Sequence, residues 1–222
     1  MRQLGMFAKF WAPGKVKTRL AAAIGAEQAA ELHAVFVRTL LARFAKTAER
    51  RVLAFSPPER RAEFEALAAG SWLLEPQTSG DLGQRMRCYF DSAFAAGAER
   101  VVLIGSDAPT LPASYIEAAF ERLADCPVVL GPADDGGYYL IGASHQSPPI
   151  FDTIAWSQPT VYAETVSVLK SAELDYYALA GWYDVDVLDD LKRLNAELSD
   201  SHDDSAPLDE LAREVRRALG AP

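Results

Sequence analysis

Four consecutive apolar residues, Val101-Val102-Leu103-Ile104, stop at Gly105 and lead into Ser106-Asp107-Ala108-Pro109. The run is too short for a helix, mostly β-branched and apolar on both faces, the pattern of a strand buried between helix layers in a parallel sheet. Open α/β sheets bind ligands at the carboxyl ends of their strands. Asp107 is thus a carboxylate delivered by a rigid strand to a place where a ligand or cation can sit. Ser and Asp before a proline also serve as turn residues, so the rest of the chain must decide between the two roles.

Short strand patterns at residues 4–10, 51–56, 72–75, 128–130, 138–142 and 174–179 alternate with helical patterns. The first long helix follows Gly25 and carries Leu32, Val35, Phe36, Thr39 and Leu40 on one face. Further helices are expected over residues 59–69, 82–96, 113–124 and 160–170, and from Val187 through Leu198. This alternation implies an α/β fold, with a mainly parallel sheet and helices on both faces. Residues 1–198 read as one domain. Residues 199–207 read as an acidic, Ser-rich linker, and residues 208–219 as an amphipathic helix that either packs back on the body or joins two copies as a homodimer.

A length of 222 residues suits one domain with a substantial core. The formal net charge of -9 argues against nucleic-acid or anionic-membrane binding and makes any local basic cluster more informative. No apolar run reaches membrane-spanning length. Cys88 and Cys126 lack metal or redox spacing and read as reduced thiols, so the expected location is cytoplasmic.

The basic cluster is Pro13-Gly14-Lys15-Val16-Lys17-Thr18-Arg19, three cations within five residues after the first strand. It is not a P-loop, because Val16 stands where that motif needs a glycine immediately before the lysine. A glycine-containing loop with Lys15, Lys17 and Arg19 still suits a polyphosphate, whereas cations ahead of a helix gain nothing from its dipole. Asp184 and Asp186 lie two apart, so in extended chain both side chains face one way. Two such carboxylates suit a hard cation such as Mg²⁺, or one of them caps the following helix, a task Asp189 or Asp190 can also perform. Asp135-Gly136-Gly137 is a hairpin signal, and Tyr138-Tyr139 after it either lines an acceptor pocket or places one ring in the core and one outside. None of His33, His145 and His202 stands at ligand-pair spacing, and His33 reads as a surface or half-buried side chain of its helix.

Four segments stand together in one order: residues 13–20; Ser79-Gly80-Asp81-Leu82-Gly83-Gln84-Arg85-Met86; Ile104-Gly105-Ser106-Asp107-Ala108-Pro109; and residues 134–142. Asp184-Val185-Asp186 with Asp190-Leu191 follows them. The combination resembles the glycosyltransferase-A-like family, in the branch similar to phospholactate guanylyltransferases. That resemblance implies a nucleotide-diphospho-sugar transferase (GT-A, Rossmann-like) fold, a three-layer αβα sandwich with a mixed, mainly parallel sheet. It implies a nucleotide and a small-molecule acceptor as partners and Mg²⁺ or Mn²⁺ as cofactor. By position, Lys17 and Arg19 meet the phosphates, with Pro13, Gly14, Lys15 and Ser106 beside them, and Gly80-Asp81 meets the nucleoside. Asp107 and Asp186 hold the metal with Asp184, and Asp135-Gly136-Gly137-Tyr138 borders the acceptor. Lys17, Arg19 and Asp107 are the expected catalytic residues.

A triply cationic loop with a metal suits departure of pyrophosphate from an attacked α-phosphorus, and an anionic acceptor needs no dedicated base. Nucleotidyl transfer to a phosphorylated or carboxylate acceptor is therefore the leading expectation. Ser106-Asp107-Ala108 departs from the Asp-x-Asp of many sugar transferases, which leaves glycosyl transfer as the alternative. A non-catalytic nucleotide-binding module is the third reading.

Overall fold

The computed structural model describes residues 1–200 and 205–220. Strands β1 (Arg2–Lys9), β2 (Arg50–Ser56), β3 (Leu73–Pro76), β4 (Arg100–Ile104), β5 (Val128–Pro132), β6 (Tyr138–Ser144) and β7 (Tyr176–Ala178) form one sheet in the order β3-β2-β1-β4-β6-β5-β7. The first four in that order are parallel, β6 runs antiparallel to both its neighbours, and β7 returns parallel to β5. The sheet is mixed and mainly parallel.

The helices are α1 (Thr18–Ile24), α2 (Ala26–Arg43), α3 (Arg61–Ala68), α4 (Leu82–Ala95), α5 (Ala113–Arg122), α6 (Val161–Ser171), α7 (Leu188–Asp200) and α8 (Ala206–Ala218). On β4, Val102 and Ile104 pack against residues of α2, α3 and α5, while Val101 and Leu103 pack against α4 and α6. A strand buried on both faces by alternate residues is what the apolar run of β4 required. The layers are thus αβα.

A third cluster joins α1 and α2 to the last two helices: Leu20, Leu32, Val35 and Phe36 meet Leu191, Leu194, Leu208, Leu211 and Val215. The terminal helix packs back on the body. Of the expected linker, Ser199 and Asp200 end α7, Ala206 and Pro207 begin α8, and residues 201–204, including His202, lie outside the described residues.

Helix α1 was hidden in the sequence, where residues 12–20 read as a loop. It is seven residues long, buries only Leu20 and has no side-chain cap. The chain enters it through Lys17 in the left-handed conformation, φ 46°. That conformation is uncommon for a residue with a Cβ, and it turns the lysine side chain inward.

Candidate active site

The chain leaves β1 toward β2 and β3 on one side and places β4 on the other, so the strand order reverses between β1 and β4. Loops leaving two such strands diverge and open a cleft at the carboxyl edge. Two cavities of about 670 Å³ each meet there and share Leu82, Asp107, Ser157 and Asp186. The first lobe is bounded by Lys9, Lys15, Lys17, His33, Gln77 and Arg85. The second is bounded by Arg19, Asp135, Gly137, Tyr138, Trp156 and Asp184.

At the seam, the Lys17 ammonium is ion-paired with Asp107 and lies 3.0 Å from Asp186 Oδ1. Only 3% of the lysine side chain is exposed, while Asp107 and Asp186 present 40% and 35% to the cleft. Burial alone would push the ammonium down, but the Asp107 and Asp186 carboxylates overcome it and hold Lys17 above its ordinary value. Burial opposes the charge on Asp107 too, yet Lys17 and then His33 pull its carboxyl below the usual range. Lys17 also lies 5.6 Å from the Phe36 ring centroid, which ties the ion cluster to α2.

The aspartates are aimed by backbone bonds. Val185 N–H donates to Asp107 C=O across 2.9 Å, which holds the 184–186 segment beside the β4 loop with Val185 fully buried. Asp190 Oδ2 accepts the N–H groups of both Asp186 and Val187, 2.9 Å each, and so caps the entry of α7. Of the capping candidates, Asp190 does the work, which leaves Asp184 and Asp186 facing the cleft. Burial, then the negative charge of Asp107, pushes the Asp184 carboxyl up to about 8.

Lys15, Lys17, Ser106, Asp107 and Asp186 come together at the first lobe, and Asp135, Gly137, Tyr138 and Asp184 at the second. Arg19 joins the second lobe, away from Lys15, because it follows Lys17 into the first turn of α1. Pro13 and Gly14 are exposed and line neither lobe. Gly80 and Asp81 also lie outside both. Asp81 accepts Gln84 N–H at 2.9 Å while the Gln84 side chain accepts Asp81 N–H, a capping box that starts α4. Gly136 forms the β5–β6 turn with φ 88°, where a Cβ would sit 2.0 Å from Pro159 C=O, so only glycine lets residues 156–159 approach as the far wall. Tyr139 is the core ring, donating to Ala180 C=O, and Tyr138 is the cleft ring, edge-on to Trp156.

His33 corrects the sequence reading, which placed it on the surface or half-buried. It is 3% exposed and bounds the first lobe, with Nε2 donating to Lys9 C=O at 3.1 Å and Nδ1 3.8 Å from Asp107 Oδ1. Burial, the largest influence, holds its imidazole below the ordinary value. Of the helix face seen in the sequence, Leu32, Val35 and Phe36 lie under α7 and α8, whereas Leu40 packs on the sheet with Val37, Leu41 and Phe44, so α2 is covered twice and His33 falls between. Gln77, Arg85 and Trp156 are among the other cleft residues that sequence reasoning missed. Arg85 stood inside the quoted 79–86 motif, and that was the signal available.

Among the described residues no three acid, His or Cys donors form a ready-made cage. Carboxylates that face an open cleft beside a cationic lobe nevertheless match what Mg²⁺ takes, one or two protein carboxylates plus substrate phosphates. The donor chemistry therefore fits a hard divalent cation.

The signature of a family described as "Uncharacterized protein conserved in bacteria (DUF2064)" matches residues 39–158. A 3-phospho-D-glycerate guanylyltransferase from Phenylobacterium zucineum (strain HLK1) is 37% identical over 134 residues, which are 56% of this chain and 59% of that protein's length. A crystal structure from Desulfovibrio desulfuricans G20, named provisionally as a nucleotide-diphospho-sugar transferase, is 34% identical with a TM-score of 0.90 and covers 99% of this chain and 96% of that one. The inositol-1-phosphate CTP transferase from T. maritima shares the fold at 14% identity, with a TM-score of 0.56 and coverage of 100% of this chain and 98% of that one. The chain has the nucleotide-diphospho-sugar transferase fold and belongs to the bacterial DUF2064 family.

Proposed function

We propose that the protein transfers a nucleotidyl group from a nucleoside triphosphate to a small phosphorylated or carboxylate acceptor, with release of pyrophosphate. The observation that carries this reading is the buried Lys17 ammonium, paired with Asp107 and Asp186 at the seam of a two-lobed cleft. A reacting centre at the seam has one lobe for the donor and one for the acceptor. The 37%-identical relative, named as a guanylyltransferase of 3-phospho-D-glycerate, supports both halves, because that acceptor carries a phosphate and a carboxylate.

In this reading the acceptor oxygen forms a bond to the α-phosphorus, and the bond from that phosphorus to pyrophosphate breaks. Negative charge grows on the departing pyrophosphate, and preorganised cations there lower the barrier. Lys17 is already oriented by its two carboxylates, so it needs little rearrangement as that charge develops. Lys9 donates to Lys15 C=O at 2.8 Å and shapes the loop that presents Lys15. An Mg²⁺ or Mn²⁺ ion bound by Asp107 and Asp186, with Asp184, would supply further neutralisation of phosphate charge. Arg19, on the second lobe, meets the acceptor's anionic group. The acceptor oxygen is anionic near neutral pH, so neutral His33 has no proton to remove and serves as packing that fixes Lys9 and Asp107.

The test is pyrophosphate release with each nucleoside triphosphate, Mg²⁺ and a panel of phosphorylated acids that includes 3-phospho-D-glycerate. Acceptor-dependent pyrophosphate supports the proposal. The 34%-identical structure favours a second reading, glycosyl transfer, which predicts nucleoside diphosphate release from a nucleotide-sugar. Saturable nucleotide binding with neither product would make the protein a binding module.

A further inference from the structure

We infer that Ser157 is a further catalytic residue, whose hydroxyl donates to a non-bridging oxygen of the phosphoryl group in transit, a deepening that rests on the nucleotidyl-transfer reading above. A group that passes from a donor in one lobe to an acceptor in the other is bounded by residues that line both. Four residues do so: Leu82, Asp107, Ser157 and Asp186. Two are carboxylates, which repel a phosphate unless a cation intervenes, and Leu82 is apolar. Ser157 is the one of the four whose hydroxyl can donate to a phosphate oxygen.

The fold holds that residue in place against its own backbone preference. Ser157 has φ 65°, in the left-handed region that residues with a Cβ rarely adopt. Such strain persists only where the surrounding structure over-determines it, and it gathers at functional sites. Three sets of contacts fix it here. The Glu164 carboxylate closes the loop from both ends, accepting from Ala155 N–H at 3.3 Å and from the Thr160 hydroxyl at 2.7 Å. Before Ser157, Trp156 Nε1 donates to Phe151 C=O at 3.2 Å, and the indole lies so close to α4 that a Cβ on Gly83 would fall 2.1 Å from Nε1. After it, Pro159 C=O rests on the Gly136 turn, whose own C=O accepts Tyr162 N–H at 2.9 Å. The Ser157 side chain takes no part in these contacts and is exposed to the cleft. A rigid frame thus presents one uncommitted hydroxyl to the space between the lobes.

In the step itself the acceptor oxygen bonds to the α-phosphorus as the bond from that phosphorus to the pyrophosphate oxygen breaks. The non-bridging oxygens swing through a common plane as the phosphorus inverts. A donor fixed for the position one of them then reaches favours the transition state over the bound substrate. Ser157 keeps its proton throughout, and the pyrophosphate carries away the electron pair of the broken bond.

The experiment compares the parent with Ser157→Ala and Ser157→Gly, using the triphosphate and acceptor pair that gives pyrophosphate with the parent. Ser157→Ala should lower kcat about a hundredfold, the usual effect of removing one preorganised donor. The triphosphate Kd and acceptor KM should stay within about twofold, because the contact is made in the transition state. Ser157→Gly should lose the same activity with no fall in Tm, because glycine adopts φ 65° without the penalty. With α-thiotriphosphates, in which sulfur replaces one non-bridging oxygen, one diastereomer should be slow with the parent, and that penalty should shrink in Ser157→Ala. A kcat within about twofold of the parent in Ser157→Ala, or thio penalties that do not change, overturns the inference and leaves nucleotidyl transfer intact. Losses of kcat that track a fall in Tm in both variants would make Ser157 structural and also overturn it. A parent that releases no acceptor-dependent pyrophosphate overturns both readings at once.

Discussion

Lys17 donates to Asp186 across 3.0 Å and so joins the loop after β1 to the segment that enters α7, two pieces of chain 169 residues apart. Because Asp107 of the β4 loop shares the same ammonium, one buried cation ties together the three segments that form the cleft. This makes Lys17 structural and electrostatic at once. Lys17→Met removes the charge but keeps the stem, and leaves two carboxylates facing each other without a cation. Breaking a fully buried ion pair costs about 3–5 kcal/mol. Both aspartates are over a third exposed to the cleft, which reduces the expected loss to about 1–3 kcal/mol. Urea unfolding measures it, and added Mg²⁺ should recover part of the loss by taking the place of the ammonium. A variant as stable as the parent would mean that the cluster is solvated and does not hold the loops.

On the proposed reading, Arg19 distinguishes the donor from the acceptor. It shares the second lobe with Asp135, Tyr138 and Asp184, whereas Lys15 shares the first with Arg85. Loss of a charge-assisted hydrogen bond to an anion is worth about 1.5–3 kcal/mol. Arg19→Ala should therefore raise the acceptor KM roughly tenfold to a hundredfold and leave the nucleoside triphosphate Kd within about twofold. Steady-state kinetics with each substrate varied in turn, together with direct triphosphate binding, checks it. An equal loss for both substrates would place Arg19 on the donor phosphates.

What was legible in the sequence follows from which forces act locally. Strand β4 was readable because burial on both faces leaves only apolar residues, and its carboxyl edge then located Asp107. Asp184 and Asp186 were readable from period-two spacing. The inward turn of Lys17 was not, because it depends on a left-handed backbone in a loop and on carboxylates from two distant segments. His33 was misplaced because a single amphipathic face was sought, whereas α2 is covered by the sheet on one side and by α7 and α8 on the other. Asp81 carried a signal that admits two meanings. Four residues in the order Asp-x-x-Gln mark a helix start as readily as a ligand contact, and the carboxylate is engaged in the cap.

That cap gives a clean control. Asp81→Ala should destabilise by about 1 kcal/mol, the usual cost of losing a helix N-cap. Because the side chain is bonded within its own turn and lies outside both lobes, nucleotide affinity should stay within about twofold. Thermal unfolding and nucleotide titration on the same preparation measure the two effects. A tenfold loss of affinity at unchanged stability would return Asp81 to the nucleoside.

Helix α8 reaches the site through α2. Leu211 is fully buried in the cluster with Phe36, and Phe36 lies beneath the Lys17 ammonium. Leu211→Ala removes packing from a filled core, which costs about 2–5 kcal/mol. The measurement is chemical denaturation, and the expected midpoint shift occurs without a change in the denaturant slope. A negligible shift would mean that α8 is only loosely docked on α2.

The Asp184 carboxyl gives the metal-free protein a pH dependence of definite sign. Its ordinary value is 3.8 in the unfolded chain, and burial and the Asp107 charge raise it to about 8 in the fold. Between those values the folded state binds more protons than the unfolded one, so stability falls as pH rises. The lowered Asp107 acts below 3.8 with the opposite sign, and the raised Lys17 acts above 10.5. The lowered His33 also opposes Asp184, but only below its ordinary 6.5. The window in which Asp184 acts without opposition from His33 is therefore pH 6.5 to about 8. In the presence of a chelator, the Tm should decline across that window, and Asp184→Asn, which is neutral in both states, should flatten the decline. A Tm that is constant or rises from pH 6.5 to 8 in the parent would mean that Asp184 is ionised throughout, with its charge compensated by Lys17.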